Sequence, residues 1–556
     1  LYGIARAASV AEKIDGLVSK YRHAFGGDND DAPGLSEKDV LLITYGDTLT
    51  SDDVAPLKAL GRFYGEFLQN TFNLIHILPF HPYSSDDGFS VIDYKAVRND
   101  LGIWIDIENL SRECRIMVDA VINHVSSQST WFKKFLSGDP EFADFFIDHD
   151  PGEDLSAVTR PRTSPLLTRF EDREGKSRCI WTTFSADQVD LNFRNPNVLI
   201  AVIDVLFFLI AKGARLLRLD AVTFLWKESG TSCANLPETH TLIKVMRHAI
   251  SALCSDVNVV TETNVPHREN IAYFGDGHDE AHMVYNFALP PLIAYSLIVG
   301  DGNRLSDWVR KLSTPSDEVC FLNFSASHDG VGVRPVEEIL TDDEVQQLVD
   351  AAHSAKGLVS SRTLSDGKEH PYELNCTFLD LISRDDEDTS MTVARFVASQ
   401  AIVLAMPGVP AVYIQSLLGT RNDLDGVART GRARSINRSQ HDYQHVANAL
   451  ANTESLEARV FDRLTRLIRV RRQQVAFDPY APFEVLDYGT SVFAVRRGDP
   501  QSGATITCIN NLTGKEALLE ISDTISGQEL LADDHVPSGK HFMPPYAVWW
   551  LLARKQ

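Results

Sequence analysis

Several things are missing from this chain, and each absence removes a class of protein. No run of roughly eighteen apolar residues exists, since the stretch Ile200 to Ile210 is broken by Asp204 and closed by Lys212-Gly213, so nothing here spans a bilayer as a helix. Positive charge is in the minority, with 53 Lys and Arg against 76 Asp and Glu and a net charge of -23. That balance opposes binding to a nucleic-acid backbone or an anionic membrane surface and favours solubility. Cysteine is sparse and scattered at Cys114, Cys179, Cys233, Cys254, Cys320, Cys376 and Cys508, with no C-x-x-C pair and no His/Cys ligand spacing. These read as reduced thiols of a cytoplasmic protein with no metal site and no disulfide framework. There is no internal repeat and no low-complexity tract. Leu1 to Val10 lacks the layout of a signal peptide, and the missing initiator methionine leaves the true N-terminus open.

What is present is a large globular chain, 556 residues with 44% hydrophobic side chains, enough for one big domain with appendages or for two to four domains. Residues 1–38 place Ile14, Leu17, Val18, Tyr21 and Phe25 at helical spacing ahead of Gly26-Gly27-Asp28-Asn29-Asp30-Asp31, which reads as an N-terminal helical extension and a joint. Eight short apolar runs then alternate with helical stretches: Asp39 to Tyr45, Leu74 to Phe80, Arg115 to Val121, Ala214 to Val222, Asn258 to Thr263, Met283 to Leu289, Cys320 to Phe324 and Val409 to Ile414. This rhythm predicts a (β/α)8 TIM barrel over 39–481, whose functional residues should stand at the C-terminal strand ends. Two intervals, 125–192 after the third strand and 330–390 after the seventh, are too long for plain loops and should overhang that face. From 482 to 556 short strand-like runs separated by Gly, Asn and Pro predict a C-terminal antiparallel β domain.

Carboxylates and imidazoles recur where the predicted strands stop. The third run ends Asp119-Ala120-Val121-Ile122-Asn123-His124, the fourth at Asp220, the fifth at Glu262, and the seventh in Ser327-His328-Asp329. Arg218 and Asp220 share one strand face because side chains alternate, so the guanidinium should orient the carboxylate and lower its pKa. A lone R-x-D would read as a structural ion pair; its company does not. Asp119 and Asn123 are expected to brace strand ends. Three carboxyl groups at strand ends, the first two on the neighbouring strands four and five, supply a nucleophile, a proton donor and a group that grips sugar hydroxyls, the equipment for retaining glycosyl transfer.

The endings resemble the signature regions of the α-amylase clan. Within it, Leu42-Ile43-Thr44-Tyr45, His76-Ile77-Leu78-Pro79-Phe80, Gly88-Phe89-Ser90-Val91-Ile92-Asp93, Asp190-Leu191-Asn192, Gly230-Thr231-Ser232-Cys233, Phe287-Ala288-Leu289-Pro290-Pro291 and Ser435-Ile436-Asn437-Arg438 resemble the sucrose phosphorylase group. Val158-Thr159-Arg160-Pro161-Arg162, Trp181-Thr182-Thr183-Phe184, Glu262-Thr263-Asn264-Val265-Pro266-His267 and Asn270-Ile271-Ala272-Tyr273-Phe274-Gly275 are similar to glucosylglycerate phosphorylases, as is the N-terminal extension.

Carried over position by position, the resemblance implies Asp220 as nucleophile, Glu262 as acid and base, and Asp329 as stabiliser. It implies glucose binding by Asp86, Phe89, His124, Arg218, His328 and Arg434, with Phe89 as an aromatic platform. It further implies a phosphate and acceptor side formed by Arg162, Tyr372, Asn264, Thr159, Glu373 and Arg362. Thr159 stands where sucrose phosphorylases carry tyrosine and Glu373 where they carry glutamine. Ser360-Ser361-Arg362 replaces a tryptophan-lysine pair of the glucosylglycerate enzymes. Of the cations in the second excursion, Arg362, Lys368 and His370, Arg362 is expected to meet a glycerate carboxylate. The implied activity is a retaining α-glucosyl phosphorylase with no cofactor, inorganic phosphate as co-substrate, small-molecule sugar partners, and a monomeric or homodimeric state. Action on glucosylglycerol, sucrose or sucrose 6'-phosphate, a hydrolase or transglucosidase, and a catalytically silent binding barrel stay open.

Overall fold

The computed structural model describes residues 1–22, 34–150, 152–162, 164–363, 369–384, 386–501 and 503–554. Eight parallel strands close into a barrel in chain order: β1 Leu41–Thr44, β2 Leu74–Ile77, β3 Arg115–Val121, β4 Ala214–Asp220, β5 Asn258–Thr261, β6 Met283–Tyr285, β7 Cys320–Asn323 and β8 Val409–Tyr413, which returns to β1. Each falls within an apolar run expected from the sequence. Both faces of these strands are buried, which is why they read as near-continuous hydrophobic runs and not as alternating ones. Several strands stop short of their apolar runs. β2 ends at Ile77, β4 at Asp220 and β6 at Tyr285, because the chain turns there to expose strand-end side chains while the apolar residues beyond stay buried in loops.

Outer helices follow the strands. Helix Pro196–Ala211 starts with proline in its first turn, and the Asn195 side chain caps it by accepting from the Asn197 N–H. The N-terminal helix Ile4–Arg22 lies on this helix and on Pro237–Leu253. Tyr21 meets Phe207 edge-on at 5.9 Å, and Lys20 reaches Asp204 at 2.8 Å. Phe25 and the Gly26 to Asp31 joint lie outside the described residues.

Both long intervals fold over the C-terminal mouth of the barrel. The first pairs His124–Ser126 antiparallel with Gln188–Asp190 and adds a hairpin, Leu167–Glu171 with Ser177–Trp181. Phe132, Phe135, Phe146 and Phe170 form its small aromatic core. The second carries helix Asp342–Ser354, started by a Thr341/Glu344 capping box, and a sheet in which Glu369–Asn375 lies between Val331–Gly332 and Leu358–Thr363. After helix Leu456–Arg471, antiparallel strands from Phe483 to Arg554 form a six-stranded sheet and a two-stranded one. Buried Arg497 ties that sheet to the barrel by donating to the carbonyls of Ala405 and Met406 at 3.0 and 2.7 Å.

Candidate active site

β3 and β4 are in register with Asp119 opposite Arg218 and Val121 opposite Asp220. Arg218 therefore stands between two carboxylates, donating through Nη1 to Asp119 and, at 2.8 Å, to Asp220 Oδ1. Asp119 also accepts from His76 Nε2 of β2 at 2.7 Å, so three strands hold one guanidinium. Just past β4, Ala221 takes a left-handed backbone conformation (φ 52°). For a residue with a Cβ this costs about 1–2 kcal/mol. The turn aims the Ala221 N–H at Glu262 Oε2, 3.1 Å away, and so fixes the carboxyl at the end of β5 beside the one at the end of β4.

Burial sets the electrostatics of this pair. It pushes the Asp220 carboxyl well above the usual range; Arg218 pulls against it, and Glu262 and Asp119 add repulsion. The sequence expectation that Arg218 lowers the pKa of Asp220 holds for the arginine's own effect, but desolvation outweighs it and the net shift is upward. Glu262 is also raised by burial, opposed by Arg218 and by the Ala221 N–H. Two buried carboxyls that resist joint ionisation hold one proton between them. Arg218 donates directly to Asp220 and not to Glu262, so the charge belongs on Asp220 and the proton on Glu262. Asp119 behaves differently. Burial opposes its charge, but Arg218 and His76 more than offset this and bring its pKa to about 2.

Asp329 follows β7. Its Oδ1 lies 2.5 Å from Arg434 Nη1 and 3.5 Å from Arg438 Nη2. Burial works against ionisation there too, yet Arg434 and Arg438 prevail and keep Asp329 charged. His328 is kept neutral by burial and by the nearby Arg438, and its ring stacks on Phe89 at 5.0 Å with 9° between planes. On the other side, His124 donates from Nε2 to the Phe89 carbonyl at 2.9 Å, and Gln188 donates to Asp86 Oδ2 at 3.1 Å. Asp86 and Asp87 both have positive φ, and Gly88 follows at φ 112°, where a Cβ would come within 2.6 Å of Pro79. Only glycine fits there, and the tight turn turns Asp86 toward the barrel mouth.

These groups line one cavity with about 720 Å³ of empty space, its open mouth included. Asp86, Phe89, His124, Arg218, His328 and Arg434 stand on its wall with the three carboxyls Asp220, Glu262 and Asp329. The insertions close the rest: Arg162 comes from the first, Tyr372 from the second, and Asn264 from the β5 loop, its amide 3.5 Å from the Tyr372 hydroxyl. Burial pushes the Tyr372 phenol up although Arg162 pulls it down, so it stays a hydrogen-bond donor.

Three residues expected on the acceptor side are not on that wall. Glu373 points inward, buried, with both oxygens held by Arg434 and Oε1 also accepting from the Gly330 N–H at 2.8 Å. Strand alternation puts it on the face opposite Tyr372. Arg362, near the end of its hairpin strand, is ion-paired with Glu337, and its neighbour across the hairpin is His370. Thr159 is half-buried, its N–H bound to the Ser232 carbonyl at 2.9 Å. Lys368 lies outside the described residues. Conversely, Arg334, Gln188 and Phe184 line the cavity without having been singled out. Arg334 comes five residues after Asp329, and that closeness to a strand end was the available signal.

Chemically, the wall offers a charged carboxylate, a protonated carboxyl beside it and guanidinium groups that can receive an anion. Among the described residues no group of three or more His, Cys, Asp and Glu side chains is placed to hold a metal ion.

Residues 69–329 match the α-amylase catalytic domain. Over 93% of its length the chain is 44% identical to a glucosylglycerate phosphorylase of Escherichia coli, covering 92% of that protein. It is likewise 44% identical to a glucosylglycerate phosphorylase of Spirochaeta thermophila, over 92% of this chain and 88% of the relative. Among solved structures, a sucrose 6F-phosphate phosphorylase from Thermoanaerobacter thermosaccharolyticum superimposes with a TM-score of 0.77 over 93% of this chain and all of the other, at 24% identity.

Proposed function

The chain belongs to the α-amylase family, and within it we propose that it is a retaining α-glucosyl phosphorylase that converts 2-O-α-D-glucosyl-D-glycerate and phosphate into α-D-glucose 1-phosphate and D-glycerate. Similarity to the glucosylglycerate phosphorylases over most of the chain supports this reading. The structural observation that carries it is that Arg162 stands on the wall of a carboxylate-lined cavity with no ion-pair partner among the described residues. A hydrolase has only water to receive at that place, whereas a phosphorylase must hold an anion there.

Each step uses one group of the site. Asp329, held by Arg434, grips ring hydroxyls together with Asp86, His124 and His328. Glu262 gives its proton to the glycosidic oxygen while Asp220 attacks the anomeric carbon; the bond to glycerate breaks and a β-linked glucosyl ester forms. Phosphate then replaces glycerate beside Arg162, Tyr372 and Asn264. Glu262 takes the proton of its attacking oxygen, the ester bond to Asp220 breaks, and two inversions return the α configuration. Developing positive charge at the sugar ring is favoured by the Asp220 carboxylate and by the π electrons of Phe89.

The reaction as written needs no metal or organic cofactor; phosphate is the co-substrate. Seven unpaired cysteines and a phosphorylated product support a cytoplasmic setting. No helix among the described residues is long and apolar enough to cross a membrane. The groups that line the site all come from one chain, which is compatible with a monomer or a homodimer.

The test is to incubate purified protein with glucosylglycerate, glucosylglycerol, sucrose or sucrose 6'-phosphate, with and without phosphate, and to measure glucose 1-phosphate. Glucosylglycerate should be the preferred substrate. Preference for one of the others overturns the acceptor, and turnover independent of phosphate overturns the reaction.

A further inference from the structure

A glycerate carboxylate entering a partly desolvated cavity needs a cation, or binding costs more than it gains. Arg362 is spent on Glu337. On the cavity wall four arginines face four carboxyl groups, Asp86, Asp220, Glu262 and Asp329. Two of those arginines are committed: Arg218 to Asp119 and Asp220, and Arg434 to Glu373 and Asp329. Arg162 and Arg334 have no ion-pair partner among the described residues, and without them the wall would repel any anion.

The two are not placed alike. Arg162 belongs to the first insertion, and its charge acts on Asp329 and Tyr372, at the heart of the site. Arg334 opens the short helical turn Arg334–Val336 at the edge of the second insertion. Its backbone is pinned next to Tyr372, because the preceding Val333 N–H donates to the Tyr372 carbonyl at 3.1 Å. Gly332, paired with Glu373, lies so close to Asn264 that a Cβ would come within 3.1 Å of its amide nitrogen. Arg334 thus follows closely on a short strand whose neighbours are Tyr372 and Asn264, and its fork of N–H donors makes no hydrogen bond among the described residues.

We infer that Arg334 is the specificity-determining residue for the acceptor: its guanidinium receives the carboxylate of a 2-hydroxy acid, while Arg162 serves the phosphate. This rests on the phosphorylase reading given above. D-glycerate and glycerol differ only in a carboxylate against a hydroxymethyl group, so they separate the charge from everything else.

The experiment measures synthesis from glucose 1-phosphate with each of these two acceptors, and the phosphate KM in the reverse direction, for the wild type, Arg334→Ala, Arg334→Lys and Arg162→Ala. Loss of a charged, two-pronged hydrogen bond should lower kcat/KM for glycerate by about 10- to 100-fold in Arg334→Ala, with glycerol falling no more than about 3-fold. The phosphate KM should rise in Arg162→Ala and stay within about 3-fold in Arg334→Ala, and Arg334→Lys should recover part of the glycerate preference. Continued transfer to glycerol shows that the variant is folded. If the wild type prefers glycerate and Arg334→Ala keeps that preference, or loses both acceptors or phosphate equally, the assignment of Arg334 falls while the phosphorylase reading stands. A wild type that prefers glycerol overturns the glycerate reading and this inference with it.

Discussion

Glu373 grips Arg434 through two parallel hydrogen bonds, Nε to Oε1 at 2.9 Å and Nη2 to Oε2 at 2.7 Å, and the remaining guanidinium nitrogen reaches Asp329 at 2.5 Å. A buried carboxylate of the second insertion thereby sets the arginine that holds Asp329. An amide has one acceptor atom, so in Glu373→Gln one N–H of Arg434 would face another donor, at a cost of about 1–3 kcal/mol. This variant should lose activity with glycerate, glycerol and phosphate in equal proportion. A change in acceptor preference without a general loss would return Glu373 to the acceptor side.

Asp220→Asn keeps the shape and removes the attacking charge. Turnover should fall by a factor on the order of a thousand or more while the melting temperature stays near that of the wild type. In Glu262→Gln supplied with an activated aryl glucoside, mass spectrometry of the intact protein should show a glucosyl adduct that is missing when Asp220 is also replaced. An adduct that survives replacement of Asp220 would assign the nucleophile elsewhere.

Glu262 must begin protonated, and burial raises its pKa. Activity on glucosylglycerate should therefore be present below that raised value and lost as pH climbs through it. An aryl glucoside whose leaving group needs no proton should show no such alkaline limb, and Glu262→Gln should remove it for glucosylglycerate as well. Equal alkaline loss with both substrates would give the limb to another group.

Asp119 lies under the catalytic strand ends with its pKa near 2. A depressed carboxylate stabilises the fold above its unfolded pKa of about 3.9 and loses that contribution as pH falls toward the folded value, here about 2–3 kcal/mol in all. Asp119→Asn should unfold at a lower temperature at neutral pH, because it leaves Arg218 buried with one partner fewer. Between about pH 5 and pH 3 it should lose less stability than the wild type does. Parallel losses in the two proteins would show that Asp119 is not charged in the fold.

The barrel was legible because parallel strands buried on both faces appear as apolar runs, and the site carboxyls were legible because Asp119, Asp220 and Glu262 interrupt those runs and Asp329 follows closely on the seventh. The acceptor side was not. Whether Arg362 or Arg334 faces the cavity depends on how Leu358–Thr363 pairs with Glu369–Asn375 and where Glu337 lies, long-range facts that no local pattern carries. The position of Glu373 behind the cavity wall was hidden for a similar reason. Glu373 sits next to Tyr372 in sequence, and alternation along a strand sends the two side chains to opposite faces. The direction of the Asp220 shift also escaped local reasoning, since a neighbouring arginine is visible in the sequence and the depth of burial is not.

The most direct test of the account is a phosphorus NMR time course of the purified protein with 2-O-α-D-glucosyl-D-glycerate and inorganic phosphate. The phosphate signal should be replaced, mole for mole, by that of α-D-glucose 1-phosphate, with D-glycerate released in equal amount and no β anomer. Release of free glucose at the same rate without phosphate, or formation of the β anomer, would contradict it.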